Sequence, residues 1–285
     1  MKDQVSFMGF AYPYTGAKAA IISAPYEGTS TYLKGQADGP KAIITASNFV
    51  ETYDMELEED YVDKICPHTL PELKMQKLPP KKAIDMLYEQ TKKVFQDKKF
   101  PLIFGGEHSI SSGPVRAAHE IFPGSLTVLQ IDAHSDMRNE FEGSKYNHAC
   151  VMARVREMVP AVSVGIRSQC KEEADIIRQK YSGVVFGADL SPASMDKILS
   201  KIRTKNVFIT LDIDGFDPSI MPATGTPEPG GLLWNETLSL LRRVAQEKTV
   251  IGADIVELAP RKGDITSDFA CALLAYKLLG YCLLD

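Results

Sequence analysis

No apolar run in the 285 residues approaches the roughly 20 that a membrane span needs, which excludes a membrane-spanning helix. The first residues, Met1-Lys-Asp-Gln-Val-Ser, lack the charged, apolar and small-residue regions of a secretory leader. The five cysteines (Cys66, Cys150, Cys170, Cys271, Cys282) are odd in number and never spaced as CxxC. That excludes a disulfide framework and indicates free thiols in the cytoplasm. There is no excess of basic charge either: 32 Lys and Arg stand against 37 Asp and Glu, for a net charge of -5. Nucleic acid is thereby excluded as the main partner. Internal repeats, low-complexity segments and linkers are also missing, so residues 1–285 read as one globular domain, 44% hydrophobic and 24% charged.

What is present is an alternation of apolar, β-rich runs with helix-period segments. Strands are expected at Ala19 to Ala24, Pro101 to Phe104, Leu126 to Ile131, Ala161 to Ile166, Gly183 to Phe186, Asn206 to Ile213 and Thr249 to Val256. Gly39-Pro40 opens a helix to about Tyr53, and Pro79-Pro80 precedes an amphipathic one from Lys81 to Gln96. Further helices fit near Ser111, from His148 to Glu157, from Glu172 to Lys180, from Ser194 to Arg203, from Asn235 to Gln246 and from Thr266 to Leu284. The acidic run Glu51 to Asp63 reads as a solvated helix end and loop. Nearly all-apolar strands alternating with helices indicate a mostly parallel sheet covered on both faces, an α/β fold.

Four of these strands run into unusual polar residues at their C-terminal ends. They are Glu107-His108, Asp132-Ala-His134-Ser-Asp136, Asp212-Ile-Asp214 and Glu257. In an open parallel α/β sheet, ligands bind outside the carboxyl ends of the strands, so these residues gather on one rim. In extended chain, positions i, i+2 and i+4 share a face, so Asp132, His134 and Asp136 can converge on one spot. Asp132, Asp136, Asp212 and Asp214 carry four negative charges, enough to balance two divalent cations. Carboxylates with two imidazoles and no sulfur suit manganese better than a structural zinc. Two such ions ~3.5–4 Å apart can generate hydroxide from water at neutral pH, as a hydrolase needs.

Taken singly, Asp214 reads as a helix N-cap or turn residue and His108 as a satisfied core histidine. An Asp-x-His-x-Asp triple with a second Asp-x-Asp, both at strand ends, outweighs those readings. His148 opens a helix after a long loop and fits a third imidazole ligand, a proton carrier or an ordinary helix start. Glu257 fits either a receptor for a cationic substrate or a buried ion pair with Lys or Arg.

Five ordered motifs carry a resemblance. They are Gly105-Gly106-Glu107-His108-Ser109, Asp132-Ala-His134-Ser-Asp136, Leu211-Asp212-Ile-Asp214-Gly-Phe-Asp217-Pro218, Ala223-Thr-Gly-Thr-Pro227 with Gly230-Gly231, and Asp254-Ile-Val-Glu257. The sequence resembles the ureohydrolase family, the arginases and agmatinases, over essentially its whole length. The resemblance implies a three-layer α/β/α fold with a central sheet of about eight strands. It implies two Mn²⁺ ions per subunit, one held by His108, Asp132, Asp136 and Asp212, the other by Asp132, His134, Asp212 and Asp214. A hydroxide between them would attack the guanidinium carbon, His148 would shuttle protons, and Glu257 would bind the guanidinium. Catalytic roles accordingly fall on His148, Asp136 and Glu257. The family also implies a homo-oligomer, a trimer or hexamer.

Within the family, arginases hold an amino-acid carboxylate with asparagines in the loop after the Asp-x-His-x-Asp motif; here the corresponding positions are Arg138 and Tyr146, which breaks the arginase pattern. The contexts of His148 and Glu257 look more like agmatinases, so agmatine, cleaved to putrescine and urea in polyamine synthesis, is the expected substrate. Its distal amine could meet Glu140 or Glu142. Arg138, near the mouth, suits instead a carboxylate-tailed guanidine, which keeps guanidinobutyrase, arginase and formimidoylglutamase as alternatives. A single-zinc deacetylase and a non-enzymatic homologue fit the Asp-rich motifs less well.

Overall fold

Alternation of side chains decides how the strands are covered. In Ala19–Ala24, residues Ala19 and Ile21 enter one core while Ala20, Ile22 and Ala24 enter another. Leu126–Ile131 divides in the same way, with Leu129 and Ile131 on the first side and Leu126 and Val128 on the second. Each fully buried Ile, Leu or Val contributes about 1.5–3 kcal/mol, so a one-residue slip would be penalised on both faces at once. The result is a sheet between two helical layers, seen in a computed structural model that describes residues 6–284. The leader reading of Met1 to Ser6 therefore falls almost wholly outside the described residues. Among those described, no helix is long and apolar enough to cross a membrane.

The central strands are β1 (Ala19–Ala24), β2 (His68–Thr69), β3 (Phe100–Gly105), β4 (Leu126–Ile131), β5 (Ala161–Val164), β6 (Asn206–Asp212) and β7 (Thr249–Val256). Their order across the sheet is β2-β1-β3-β7-β6-β4-β5, and every pairing is parallel. One face carries the helices Gly39–Ser47, Pro192–Lys201, Trp234–Glu247 and Thr266–Leu283; the other carries Pro80–Gln96, Ser112–Ile121 and Val151–Arg156. The three-layer expectation is borne out, with seven described strands where about eight were expected. The expected strand at Gly183 to Phe186 is reduced to one parallel bridge, Ser163 to Val185, between two glycines that give it no length. Conversely β2 escaped notice, because Pro67 and Pro71 confine it to two residues.

Two boundaries move for local reasons. The helix from Gly39 ends at Ser47, short of Tyr53, because the Asn48 side-chain amide donates back to the carbonyls of Ile44 and Thr45. The acidic run is not merely solvated. Tyr53–Asp54 pairs antiparallel with Glu59–Asp60, and Asp54 is buried. Its carboxylate accepts from Lys277 Nζ at 2.9 Å, and Tyr61 donates to it at 3.3 Å. Burial would raise the Asp54 carboxyl, but Lys277 and the backbone N–H groups of Leu57 and Glu56 hold it below its ordinary value. Lys277→Met strands that buried carboxylate, so the variant should lose about 2–4 kcal/mol of stability in a denaturant titration. A change under about 0.5 kcal/mol would show that the hairpin does not depend on this pair.

Candidate functional site

The four motif-bearing strands are the four middle neighbours of the sheet, β3, β7, β6 and β4. All are parallel, so His108, Glu257, Asp212 and Asp132 leave the same edge within a few strand spacings of one another. Glycine makes the approach tight around Asp132. A Cβ on Gly215 would lie 2.8 Å from the Asp132 nitrogen, and one on Gly165, whose φ is +96°, would lie 2.7 Å from its carbonyl oxygen. Two site residues carry left-handed backbones that side chains disfavour: Asp136 at φ 51° and Glu257 at φ 67°. Such conformations persist only where surrounding structure imposes them, and they aim both carboxylates inward.

His108 Nδ1 lies 3.1 Å from Asp132 Oδ2, 3.1 Å from Asp136 Oδ2 and 3.5 Å from Asp212 Oδ2. His134 Nδ1 lies 2.9 Å from Asp214 Oδ2 and 3.8 Å from Asp132 Oδ1. Two ligand groups result, His108/Asp132/Asp136 and Asp132/His134/Asp214, and Asp132 belongs to both. Asp212 faces the first group with one oxygen, while its other accepts the Asp214 N–H at 2.9 Å. The six residues expected as metal ligands are thus brought together.

Whether they fit cations is decided by His108. Its Nε2 lies 2.9 Å from Thr210 Oγ1, and that hydroxyl donates to Asp254 Oδ1 at 2.7 Å. The Thr210 oxygen therefore accepts from Nε2–H, which leaves the lone pair on Nδ1. That Nδ1 is buried and has no hydrogen-bond partner. A lone pair aimed among three carboxylate oxygens, with no sulfur in either ligand group, fits a hard divalent cation.

Burial opposes a charge on His108, but Asp132 and Asp136 lift its imidazole well above its ordinary value, so the cluster draws positive charge to this spot. Burial, then Asp136 and Asp214, pushes the Asp132 carboxyl up to about 7. Asp212 is raised well above its usual range by burial and by Asp214 and Asp132. Burial opposes the charge on His134, but Asp214 overrides it and lifts the imidazole to about 10. Burial would raise Asp214 too, yet His134 draws it down. These carboxylates repel one another in a dry setting, the condition that bound cations relieve.

A cavity of about 330 Å³ opens over this cluster, lined by His148 and Glu257 among others. Glu257 accepts the His108 N–H at 2.6 Å, and burial, then Glu107, lifts its carboxyl to about 8. Among the described residues no Lys or Arg pairs with Glu257, so it is not the alternative buried ion pair. Arg138 also lines the cavity, but its guanidinium lies 4.6 Å above the Phe141 ring and its Nε 3.9 Å from Glu173. Glu140 is not brought in: it is exposed on the outer side of the Met137 to Asn147 loop, whose cavity side presents Arg138 and Phe141.

Several supporting residues escaped the sequence reading. Gln130 donates to Asp132 Oδ2 at 2.7 Å, and Thr210 and Asp254 orient His108. Gln130 and Thr210 each stand two positions before a ligand, on the same strand face. Polar residues at that offset in otherwise apolar strands were the available signal. Arg167 donates to the carbonyls of Asp214, Gly215, Phe216 and Glu228, holding the loop after β6 in place. Buried Glu173 accepts from Ser135 Oγ and Met137 N, both at 2.9 Å, and does the same for the loop after β4. Nothing in the spacing of Arg167 or Glu173 marked them. The loop after Asp217 is tied down by that residue's own carboxylate. Ser219, Gly231 and Gly230 all donate to the Asp217 carboxylate, which the Ser219 hydroxyl above all draws down to about 2.

The arginase family model matches residues 17–280. The chain belongs to the arginase family. It is 43% identical over 275 residues to an N(1)-aminopropylagmatine ureohydrolase from Synechocystis sp., covering 94% of this chain and 90% of that protein. It is 33% identical over 268 residues to an agmatinase from Pyrococcus horikoshii, covering 90% and 89% of the two chains. Among solved structures, the agmatine ureohydrolase of Thermoplasma volcanium superposes with a TM-score of 0.89 at 29% identity, covering 99% of this chain and 95% of that one. The family expected from the five motifs is the family found, and the chain is a ureohydrolase of the agmatinase type.

Proposed function

We propose that this ureohydrolase cleaves a linear guanidino compound whose far end carries amines, releasing urea. The observation that carries the reading is the pair of carboxylate–imidazole groups sharing Asp132, with Glu257 beside them in one cavity. Two Mn²⁺ ions would be held by His108, Asp132, Asp136 and Asp212 on one side and by Asp132, His134, Asp212 and Asp214 on the other. Bound there, such ions supply Lewis acidity that lets water act as a nucleophile near neutral pH.

The chain's own residues do the rest. Glu257 offers a planar carboxylate to the planar N–H fork of the guanidinium and holds the carbon over the cluster. The balance of the reaction fixes a further need. A guanidinium and water give urea and an alkylammonium, so both protons of the water end on the departing nitrogen. His148, lining the same cavity, carries a proton to it.

Agmatine, the substrate expected from sequence, would leave putrescine. N(1)-aminopropylagmatine, three carbons and one amine longer, would leave spermidine. The longer substrate is favoured by the 43% identical relative, and an aminopropyl arm extends the chain toward the mouth. Arg138, engaged by Glu173 and Phe141, weighs against a carboxylate-tailed guanidine. With Mn²⁺ added, urea release should favour aminopropylagmatine over agmatine by about tenfold in kcat/KM, roughly one charged hydrogen bond. Guanidinobutyrate and arginine should be poor substrates. Faster turnover of guanidinobutyrate than of both amines would defeat the proposal.

A further inference from the structure

Thr29 lies outside every strand-end motif, in the loop between β1 and the helix Gly39–Ser47, yet it touches the site. Its backbone N–H donates to Glu107 Oε2 at 2.6 Å, and its hydroxyl donates to Glu107 Oε1 at 2.6 Å. The same hydroxyl oxygen accepts the His148 backbone N–H at 3.0 Å and lies 3.3 Å from His148 Nδ1. A threonine hydroxyl has one hydrogen and two lone pairs. That hydrogen goes to the Glu107 carboxylate, and the His148 backbone N–H takes one lone pair. The remaining lone pair faces Nδ1, which must then be the donor. Nε2 keeps its own lone pair.

We propose that Thr29 and Glu107 are positioning residues for His148. Thr29 fixes the imidazole as the Nδ1–H tautomer, so that Nε2 takes up and delivers the proton. Glu107 supplies, through Thr29, the counter-charge for the imidazolium formed in between. In the step itself a water proton binds Nε2. It then passes to the departing amine nitrogen as the C–N bond breaks, and His148 returns to neutral.

The burial of Glu107 supports this assignment. It is fully buried, and among the described residues no Lys or Arg pairs with it; its partners are hydrogen bonds from Thr29, from Ser30 Oγ at 3.2 Å and from Ser109 Oγ at 2.6 Å. Burying a carboxylate is costly, and a pin for the loop would not need the charge. Nor does the loop depend on it for closure, because Glu27 Oε2 already accepts from Gly35 N at 2.6 Å and Ala37 N at 3.2 Å across its base. A buried negative charge one hydroxyl away from a histidine that turns positive does have a use, as the carboxylate behind a general-base histidine does elsewhere.

The inference rests on the hydrolytic reading above, and a double-mutant cycle on the Mn²⁺-loaded full chain tests it. Thr29→Val should lower kcat about 10- to 100-fold with KM within about twofold, and Thr29→Ser should recover most of the loss. In the His148→Ala background, Thr29→Val should change kcat by less than about twofold, because its effect passes through the missing imidazole. Glu107→Gln should behave likewise, at unchanged metal content by elemental analysis. If Thr29→Val does not accumulate as folded protein, Thr29→Ala completes the cycle. Equal slowing of the parent and of His148→Ala would overturn the proposal, as would an unaffected parent. Absence of urea from every guanidine with the unmodified chain would sink the hydrolytic reading and this one with it. An active parent with an additive cycle sinks this one alone.

Discussion

Asp132→Ala should lose both metal ions together, not one. Asp132 belongs to both ligand groups, its Oδ2 facing His108 and its Oδ1 facing His134. Elemental analysis of the purified variant should show metal near background, and urea release should fall by about a thousandfold or more, the several kcal/mol that metal assistance contributes. One retained ion per chain would show that the two groups are independent. The metal-free variant should nonetheless be as stable as the metal-free parent, within about 1 kcal/mol. The carboxylate it lacks is fully buried beside Asp136 and Asp214, where repulsion and lost hydration offset the packing it provides. A marked stabilisation or destabilisation by heat would contradict that balance.

Glu257→Gln is the second large effect, of a different kind. Glutamine keeps the size of the side chain and can still accept the His108 N–H, now made at 2.6 Å. It lacks the charge that answers a guanidinium. A charge-assisted fork contributes about 1.5–3 kcal/mol more than nothing in its place, so kcat/KM should fall about 10- to 150-fold, with metal content unchanged. A fall confined to metal occupancy, with normal kcat/KM in the loaded fraction, would make Glu257 a support for His108 and not a receptor. The left-handed backbone at Glu257 sharpens the expectation, since a position held at φ 67° has little freedom to re-aim a poorer side chain.

The sequence revealed this site where its chemistry is written into strand periodicity. Asp132, His134 and Asp136 alternate directly after a mostly apolar strand, and Asp212-Ile-Asp214 repeats the device, so both were visible without coordinates. The central sheet was legible for the same reason: runs such as Val207 to Leu211 are buried on both faces. What stayed hidden depends on contacts distant in sequence. Thr29 meets Glu107 across 78 positions, and Arg167 reaches the Glu228 carbonyl across 61. No local period encodes such meetings. The missed hairpin at Tyr53–Asp60 belongs with them, because its acidity looks like solvation until Lys277 is seen to answer Asp54 across 223 positions. The expected strand at Gly183 to Phe186 failed in the opposite sense: its composition was right, but its hydrogen bonds to Ser163, Gly165 and Ile166 form one ladder step and not a run. Glu140 shows the limit for loops, where the side facing a cavity follows from the turn geometry and not from residue type.

The order of the sheet also governs when the site can exist. During synthesis β3 and β4 emerge early, but they are not neighbours; β7 and β6, from the last third of the chain, lie between them. The register Leu102 with Ala253 closes a loop of about 150 residues before His108 stands opposite Asp212. A growing chain can display Asp132, His134 and Asp136 long before it has the other half of the cradle. Until residue 257 has left the ribosome, the exposed triple is a weak chelator with no enclosing wall. A cation that needs both halves of the cradle would in this way find its site only in the completed fold, which would limit the hold of a wrong ion on an unfinished chain.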